Sequence, residues 1–448
     1  MHMELEDIVR QNPWWKNAAG WQMQDRHLKA LGKCKYVYER EGYIPAKKGV
    51  SVVYGPRQVG KTTWMKRRIS GLLEKLKPAE VFYLDAEGIA DRFELQKALE
   101  TIGALYSPKH IFIDEINSVH EWERAIKALA DAGFFDGRCA IVGGSSSLNI
   151  MKKAERLPGR LAAGKNKYRF HPLSFAEVAR LYGLEFPSAR EALGGLGELN
   201  VALHKYFLHG GYIRAMNALE GFGKLDEELF AVYCAWIDGE LARVKKSPEI
   251  ASGIMDGAAN ALTNETSWGA LSRSATHPTI AEYAETLKDM FVLGYVEKSR
   301  RANEGMPKNK KVYFADPFLY WVALFRSRKI SEAAIADLDS TTCGKLAELC
   351  IYCNLVNFLD TQGKESDFEP RRHVHFEAGR AGEIDFCVRY KGRAYFIESK
   401  FGHVGKEKEG VFYVTKDEFS RNKIPLSVFL LHPFESLELC RQMPKGRE

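Results

Sequence analysis

Residues Gly55 to Thr63 read GPRQVGKTT, a glycine, four residues, then Gly-Lys-Thr. Glycines at 55 and 60 let a backbone curl until its amide N–H groups converge, and converging amides bind phosphate. Pro56, Arg57, Gln58 and Val59 complete the loop. Lys61, Thr62 and Thr63 open a helix whose N-terminus adds favourable partial charge. In a loop of this kind the lysine reaches the β- and γ-phosphates and the threonine hydroxyl holds Mg²⁺. Gly55–Thr63 is therefore expected to bind ATP, with Lys61 and Thr62 in those roles.

A second group lies in HIFIDEI, where a mostly apolar run ends in Asp114 and Glu115. Asp114 suits a contact to the Mg²⁺ held by Thr62. Glu115 suits the general base that polarises an attacking water. In AIVGGSSS, Ser145 or Ser146 could contact that water or the γ-phosphate; the other reading is a helix cap. Arg160, in RLPGR, is a candidate sensor of the γ-phosphate, from its own chain or a neighbouring subunit. A solvated arginine is the other reading there.

A third group lies in EIDFCVRYKGRAYFIESK, Glu383 to Lys400. The turn Tyr390–Arg393 makes a hairpin of it. Residues two apart on a strand share a face, so Glu398 and Lys400 point the same way and Ser399 the other. Asp385 can then lie beside Glu398. Two adjacent carboxylates repel unless a cation sits between them, and Mg²⁺ or Mn²⁺ is a natural guest for oxygen ligands. Lys400 can orient a water or steady charge on a phosphate. The bland reading is an interaction module with a salt-bridged Glu–Lys pair.

The elements that must position these groups follow from the pattern. GVSVVYG, EVFYLDAE, HIFIDEI, RCAIVGG and KNKYRF alternate with longer helical stretches, which predicts a parallel sheet flanked by helices. After Pro172 the chain reads helical to about residue 244. Residues 267–300 then read helix, turn, helix, strand. A charged loop, RRANEGMPKNKK, and a second strand, VYFADP, complete the order of a winged helix. Residues 327–340 read as a linker, and TTCGKLAELCIYCNLVNFL as a long helix. The fold class expected is α/β. It comprises a P-loop core with an N-terminal helical segment over 1–180, a helical lid over 181–250, a winged helix over 251–326 and an α/β domain over 335–448.

Taken together, these motifs resemble the prokaryotic, mainly archaeal, AAA-type ATPases that carry a C-terminal restriction-endonuclease-like domain. The resemblance rests on NPWW (Asn12–Trp15), GPRQVGKTT, FIDEINSVHEWERAIKAL, GSSS, LPGR, PLSFAEV, HGGY (His209–Tyr212) and KKVYFADPFL. Asn117 stands where that family usually has glutamine, and Ile213 where it usually has proline. The acid, then acid-x-lysine order resembles the PD-(D/E)XK nucleases, with Ile384 in place of the name-giving proline. That resemblance adds a glutamate from a preceding helix, and Glu348 stands in its place. It implies a metal-dependent nuclease centre of Glu348, Asp385, Glu398 and Lys400, with Asp385 and Glu398 on the metal. His373, His375, Arg371 and Arg372 could approach phosphates or be ordinary surface or core residues.

Composition sets few further bounds. The chain has 448 residues, 45% apolar and 27% charged, with a formal charge of +7. That charge is compatible with a polyanion partner without requiring one. The presumed recognition helix carries Glu282, Glu285 and Asp289 against Lys288, which disfavours insertion into a major groove. Arg300, Arg301, Lys308, Lys310 and Lys311 in the wing could grip a nucleic-acid backbone, or form a solvated hairpin or a protein-docking face. Cys350 and Cys353 form a C-x-x-C on a helix with apolar neighbours. Core packing fits them better than an iron–sulfur cluster, because the spacing of Cys387 and Cys440 matches no cluster pattern.

No run of about 18 uncharged apolar residues occurs, so no membrane span is expected. The opening MHMELEDIVR lacks the order of a secretion signal, and the eight scattered cysteines suit a reducing compartment. A cytoplasmic ATP hydrolase is expected, and an oligomer is compatible with it. Its hydrolysis either drives a DNA- or RNA-directed activity, nuclease or remodelling, or runs a signalling or defence switch whose terminal domain docks proteins.

Overall fold

The computed structural model of the chain describes residues 4–40, 44–145, 150, 153–157, 159–299, 309–379, 382–402 and 404–443. The chain divides into two compact units. The first is Met1–His171 with Lys364–Asp367, and the second Pro172–Gly363 with Phe368–Glu448.

The five apolar runs of the first unit are five strands: β1 (Gly49–Tyr54), β2 (Val81–Asp85), β3 (His110–Asp114), β4 (Cys139–Gly144) and β5 (Lys167–Arg169). They form one sheet in the order β2-β3-β4-β1-β5, and every pairing is parallel. Helices cover the sheet, so β1 to β4 are buried almost along their whole length rather than on alternate residues, while the short edge strand β5 is Lys-Tyr-Arg. The connecting helices show the matching stripe. Arg92–Tyr106 buries Leu95, Ala98, Leu99 and Ile102, and Trp122–Asp131 buries Trp122, Ala125, Ile126 and Leu129. Asp91 caps the first of these through the amides of Phe93 and Glu94.

β2 is an edge strand, and unpaired edge groups are a liability unless covered. Residues 11–15 cover them with side chains. The Asn12 amide accepts from Tyr83 N at 2.7 Å and donates to Tyr83 O at 2.8 Å, as a neighbouring strand would. Gln11 accepts from Asp85 N, and the indoles of Trp14 and Trp15 both donate to Val81 O. NPWW is thus a side-chain substitute for a sixth strand.

In the second unit a helical region leads into an eight-stranded sheet. The order is β15-β14-β13-β12-β11-β8-β9-β7. A separate two-stranded ribbon pairs β6 (Lys224–Leu225) with β10 (Ala333–Ala334). Along the large sheet, β7 is Glu265–Thr266, β8 Leu293–Lys298, β9 Lys310–Phe314, β11 Val374–Gly379, β12 Gly382–Tyr390, β13 Arg393–Lys400, β14 Val411–Thr415 and β15 Lys423–Pro425. The helix Ser340–Gln362 precedes β11.

The packing departs from the expected organisation in four ways. The first boundary falls at 171/172 rather than 180/181, because Pro172–Leu181 packs with the later helices. The segments expected as lid, winged helix and terminal domain lie in one compact unit. The hairpin β8–β9 and the terminal strands share one sheet, since β11 pairs parallel to β8, with His375 opposite Glu297 and Phe376 opposite Lys298. Residues 327–340 are not wholly a linker, because Ala333 is buried in β10.

Candidate functional site

In a parallel α/β sheet, ligands bind beyond the carboxyl ends of the strands. Here β1 runs into the loop Gly55–Gly60, and Gln58 and Gly60 take left-handed φ angles of 64° and 94° as the loop curls. The helix Lys61–Leu73 follows at once. The Lys61 ammonium is folded onto the loop's own carbonyls, 2.9 Å from Gly55 O and 2.6 Å from Pro56 O. Asp114 ends β3. Its Oδ2 accepts from Thr62 Oγ1 at 2.6 Å and lies 3.4 Å from the Tyr83 hydroxyl. Burial pushes the Asp114 carboxyl above the usual carboxylate range, against the pull of the Thr62 hydrogen bond and the Lys61 charge. A buried carboxylate of this kind is eased by a cation, and Thr62 and Asp114 offer the hard oxygen donors that Mg²⁺ takes.

β4 lies between β1 and β3, so the residue after it is flanked by the loop on one side and the acids on the other. That residue is Ser145, which is buried. Its Oγ donates to Glu115 Oε2 at 2.9 Å and accepts from Arg57 Nε at 3.2 Å. Glu115 has a φ of 48°, which turns it away from the strand axis. Gly143 and Gly144 permit the close approach at this end of β4. A Cβ on the first would meet Met65 and Asp114, and on the second Asn117 and Ile150. Tyr83, beside Asp114, was not singled out by the sequence motifs; the parallel register of β2 and β3 is what brings it there. Ser146, the alternative to Ser145, lies outside the described residues, as does Pro158 of LPGR.

Arg160 is not brought to the loop. Leu161 bridges Val50 at the start of β1, roughly 16 Å along the strand from Gly55. The guanidinium forks onto Asp131, with Nε 2.6 Å from Oδ1 and Nη2 3.1 Å from Oδ2.

Residues 47–179 match a family model described as an AAA domain. The chain carries an AAA domain. Such a domain implies ATP and Mg²⁺ binding in general, and the oxygen donors of Thr62 and Asp114 are of the type it needs. Over 175 residues the chain is 27% identical to the uncharacterized protein MJ1544 of Methanocaldococcus jannaschii, a match covering 38% of this chain and 36% of that one. The chain thus spans about a third of that relative's length. Among solved structures it is similar to Cdc6p from Pyrobaculum aerophilum, with 11% identity and a TM-score of 0.26 over 62% of this chain and 88% of that one. It is also similar to Orc1 from Aeropyrum pernix, determined in complex with DNA, with 14% identity and a TM-score of 0.28 over 63% and 88%. Among the described residues no helix is long and apolar enough to cross a membrane.

The third group of residues assembles in the second unit, with an addition. β12 and β13 pair antiparallel with Phe386 opposite Ile397, a register that sets Asp385 across from Glu398. Glu348 reaches them from the helix Ser340–Gln362. The fifth member is Lys311 from β9. Its Nζ lies 2.7 Å from Asp385 Oδ1, 2.6 Å from Glu383 Oε1 and 3.1 Å from Glu348 Oε1. Two of these acids take a further bond. Asp385 Oδ2 accepts from Ser399 N at 2.7 Å, and Glu348 Oε1 also accepts from the Tyr313 hydroxyl at 2.7 Å. Glu398 is held by Lys400 at 2.8 Å and Lys408 at 3.0 Å.

Burial, then the neighbouring Asp385, pushes Glu348 up to about 8. Burial opposes the charge on Lys311, but Glu348, Asp385 and Glu383 outweigh it and raise its affinity for the proton. Among the described residues no group of three or more His, Cys, Asp or Glu is arranged to hold a metal ion. Asp385 is neutralised by the Lys311 ammonium and Glu398 by those of Lys400 and Lys408, so the residues present, with their charge already matched by lysines, do not fit a metal at Asp385 and Glu398.

The wing is revised for the same reason. Lys310 lies over the Trp268 ring and Lys311 is sequestered among acids, so neither is a solvated wing charge. Arg300, Arg301 and Lys308 lie outside the described residues. Arg371 pairs with Glu369, and His373 stacks on Phe368. Cys350 and Cys343 are buried and Cys353 half-buried, all as free thiols, in keeping with core packing.

Proposed function

We propose that the chain is a Mg²⁺-dependent ATP hydrolase whose turnover acts as a nucleotide switch. The observation that carries this is Ser145, hydrogen-bonded to both Arg57 of the loop and Glu115 beside the metal ligand. In the proposed reaction the loop amides hold the phosphates, and Lys61 exchanges the Gly55 and Pro56 carbonyls for phosphate oxygens. Thr62 and Asp114 hold Mg²⁺, which neutralises phosphate charge when bound. Glu115 accepts a proton from the attacking water, and Ser145 and Arg57 fix the orientation of its carboxylate. Arg160 is proposed to serve the site of a neighbouring subunit. Its place on the surface, far along β1 from its own loop, supports that reading over action in its own chain.

For the second unit we infer a winged-helix hairpin extended by a nuclease-like strand pair that serves as a docking module. The cluster around Lys311 favours docking over nucleic-acid cleavage. The deciding experiment measures ATP turnover with wild-type and Lys61→Ala proteins, alone, with duplex or single-stranded DNA, and with protein fractions. Lys61-dependent turnover supports the hydrolase, and its absence under every condition refutes it. Steeply salt-dependent stimulation by DNA would replace the switch by the nucleic-acid-directed reading.

A further inference from the structure

We propose that Lys311 is the resident cation of the carboxylate cluster in the second unit, seated where a divalent ion would have to sit, so that the centre is closed to metal and ties β9 to the terminal strands. This stands on the ion cluster alone and does not rest on the ATPase reading.

The stoichiometry of donors and acceptors supports it. An ammonium has three N–H donors. Lys311 faces three carboxylates, Glu348, Glu383 and Asp385, each within 3.1 Å, and is 1% exposed. Every donor has an acceptor. By contrast Lys400, the lysine of the acid-x-lysine order, has a side chain 42% exposed and serves Glu398 alone among the acids it contacts.

The seat is also fixed by the backbone. Lys311 lies in β9 with β8 on one side and β7 on the other, opposite Val296 and Glu265. Residues two apart share a face, and Tyr313 on that face donates to the same Glu348 oxygen that Lys311 contacts. The ammonium is therefore delivered by a strand paired on both edges. A metal ion entering among these carboxylates would meet a fixed positive charge already within hydrogen-bond distance of three of them. It would also find Asp385 Oδ2 already taken by the Ser399 amide.

The arrangement has a consequence for the sheet. The bonds from Lys311 run from the hairpin β8–β9 to β12 and to the helix Ser340–Gln362. They reinforce a joint whose backbone pairing is short, the parallel contact of β8 with β11. Ion pairs buried in this way add little net stability, and removing one partner leaves the others uncompensated.

The test is Mn²⁺ binding by electron paramagnetic resonance on nucleotide-free, full-length protein. Four proteins are compared: wild type, Asp385→Asn, Lys311→Met, and Lys311→Met with Asp385→Asn. Any Mn²⁺ at Thr62 and Asp114 is common to all four and cancels. Wild type and Asp385→Asn are expected to bind alike. Lys311→Met is expected to gain one site per chain, at least tenfold tighter than any binding that wild type shows there. Adding Asp385→Asn is expected to abolish the gain. A site in wild type that disappears with Asp385→Asn overturns the proposal, and so does folded Lys311→Met that gains no site. Where Lys311→Met does not fold, the comparison of wild type with Asp385→Asn alone decides.

Discussion

Ser145 Oγ donates a 2.9 Å hydrogen bond to Glu115 Oε2, joining the tip of β4 to the residue that follows β3. The contact holds the carboxylate that is proposed to take a proton from water. Glu115→Gln removes the base and keeps the shape, so kcat should fall by about 10²–10⁴-fold while ATP still binds. Ser145→Ala leaves the base but frees its orientation. A smaller fall in kcat is expected, with KM for ATP little changed. Steady-state turnover beside equilibrium binding of a labelled nucleotide separates the two. Equal loss of binding and turnover in Glu115→Gln would contradict the assignment.

Thr62 and Asp114 share a 2.6 Å hydrogen bond, and both are proposed to meet Mg²⁺. Thr62→Ala removes one oxygen donor and leaves the buried Asp114 without the hydroxyl that stabilises its charge. The Mg²⁺ concentration for half-maximal turnover should rise at least tenfold, on the order of 1.4 kcal/mol. Thr62→Ser keeps the oxygen and should recover most of it. A Mg²⁺ titration of turnover checks both variants, and an unchanged midpoint in Thr62→Ala would remove Thr62 from the metal.

Asn12 stands in for a strand against Tyr83. Asn12→Ala leaves the Tyr83 amide and carbonyl without their partner at a buried edge, at a cost on the order of 3 kcal/mol. Asn12→Asp keeps an acceptor for Tyr83 N but sets a carboxylate against Tyr83 O and Ile8 O, which now accept from the amide nitrogen. It should be at least as damaging. Thermal unfolding of the two variants is the measurement, and an Asp variant as stable as wild type would show that the edge is not closed in this way.

The first sheet is legible in the sequence because β1 to β4 are nearly continuous apolar runs separated by helical stretches. The loop and the acids stand at fixed offsets from those runs. The edge cover is not legible, because Asn12 and the two tryptophans carry no period and act through contacts some 70 residues away in the chain. Nor is the joint between β8 and β11, which rests on two residue pairs with β9, β10 and the helices Pro317–Arg326 and Ser340–Gln362 between them in the chain. Lys311 is the instructive case. Lysine is rarely buried unless paired, and a run of basic residues before it makes it read as part of a wing. The available signal is the alternation in KKVYF, which puts Lys311 and Tyr313 on one face. Three acids waiting for a cation elsewhere in the sequence complete that signal, but only once β9 and β12 are known to share a sheet.

The HGGY turn and the Asp316 cap form a pair with opposite responses to pH. Asp316 accepts from Gly211 N and from Phe318 N, at the start of the helix Pro317–Arg326. Burial pushes its carboxyl up to about 7. His209 donates from Nδ1 to Gly210 O, which leaves Nε2 to accept from the Tyr182 hydroxyl at 3.0 Å. Burial pulls it down to about 4. A raised carboxyl binds its proton more tightly in the folded state, so its contribution is full at low pH and is lost as pH rises through about 7. A depressed imidazole is the reverse; its contribution is full above the ordinary histidine range and is lost as pH falls towards about 4. At most these are about 4 kcal/mol for Asp316 and about 3 kcal/mol for His209, and over the same window they oppose one another. His209→Gln should therefore expose the Asp316 slope, with the second unit losing stability as pH rises from 4 to 7 relative to wild type. Asp316→Asn should expose the His209 slope, with stability lost as pH falls through the same range. Denaturant midpoints of the three proteins across that window measure both slopes. Two variants with the wild-type profile would mean that neither group changes its proton affinity on folding.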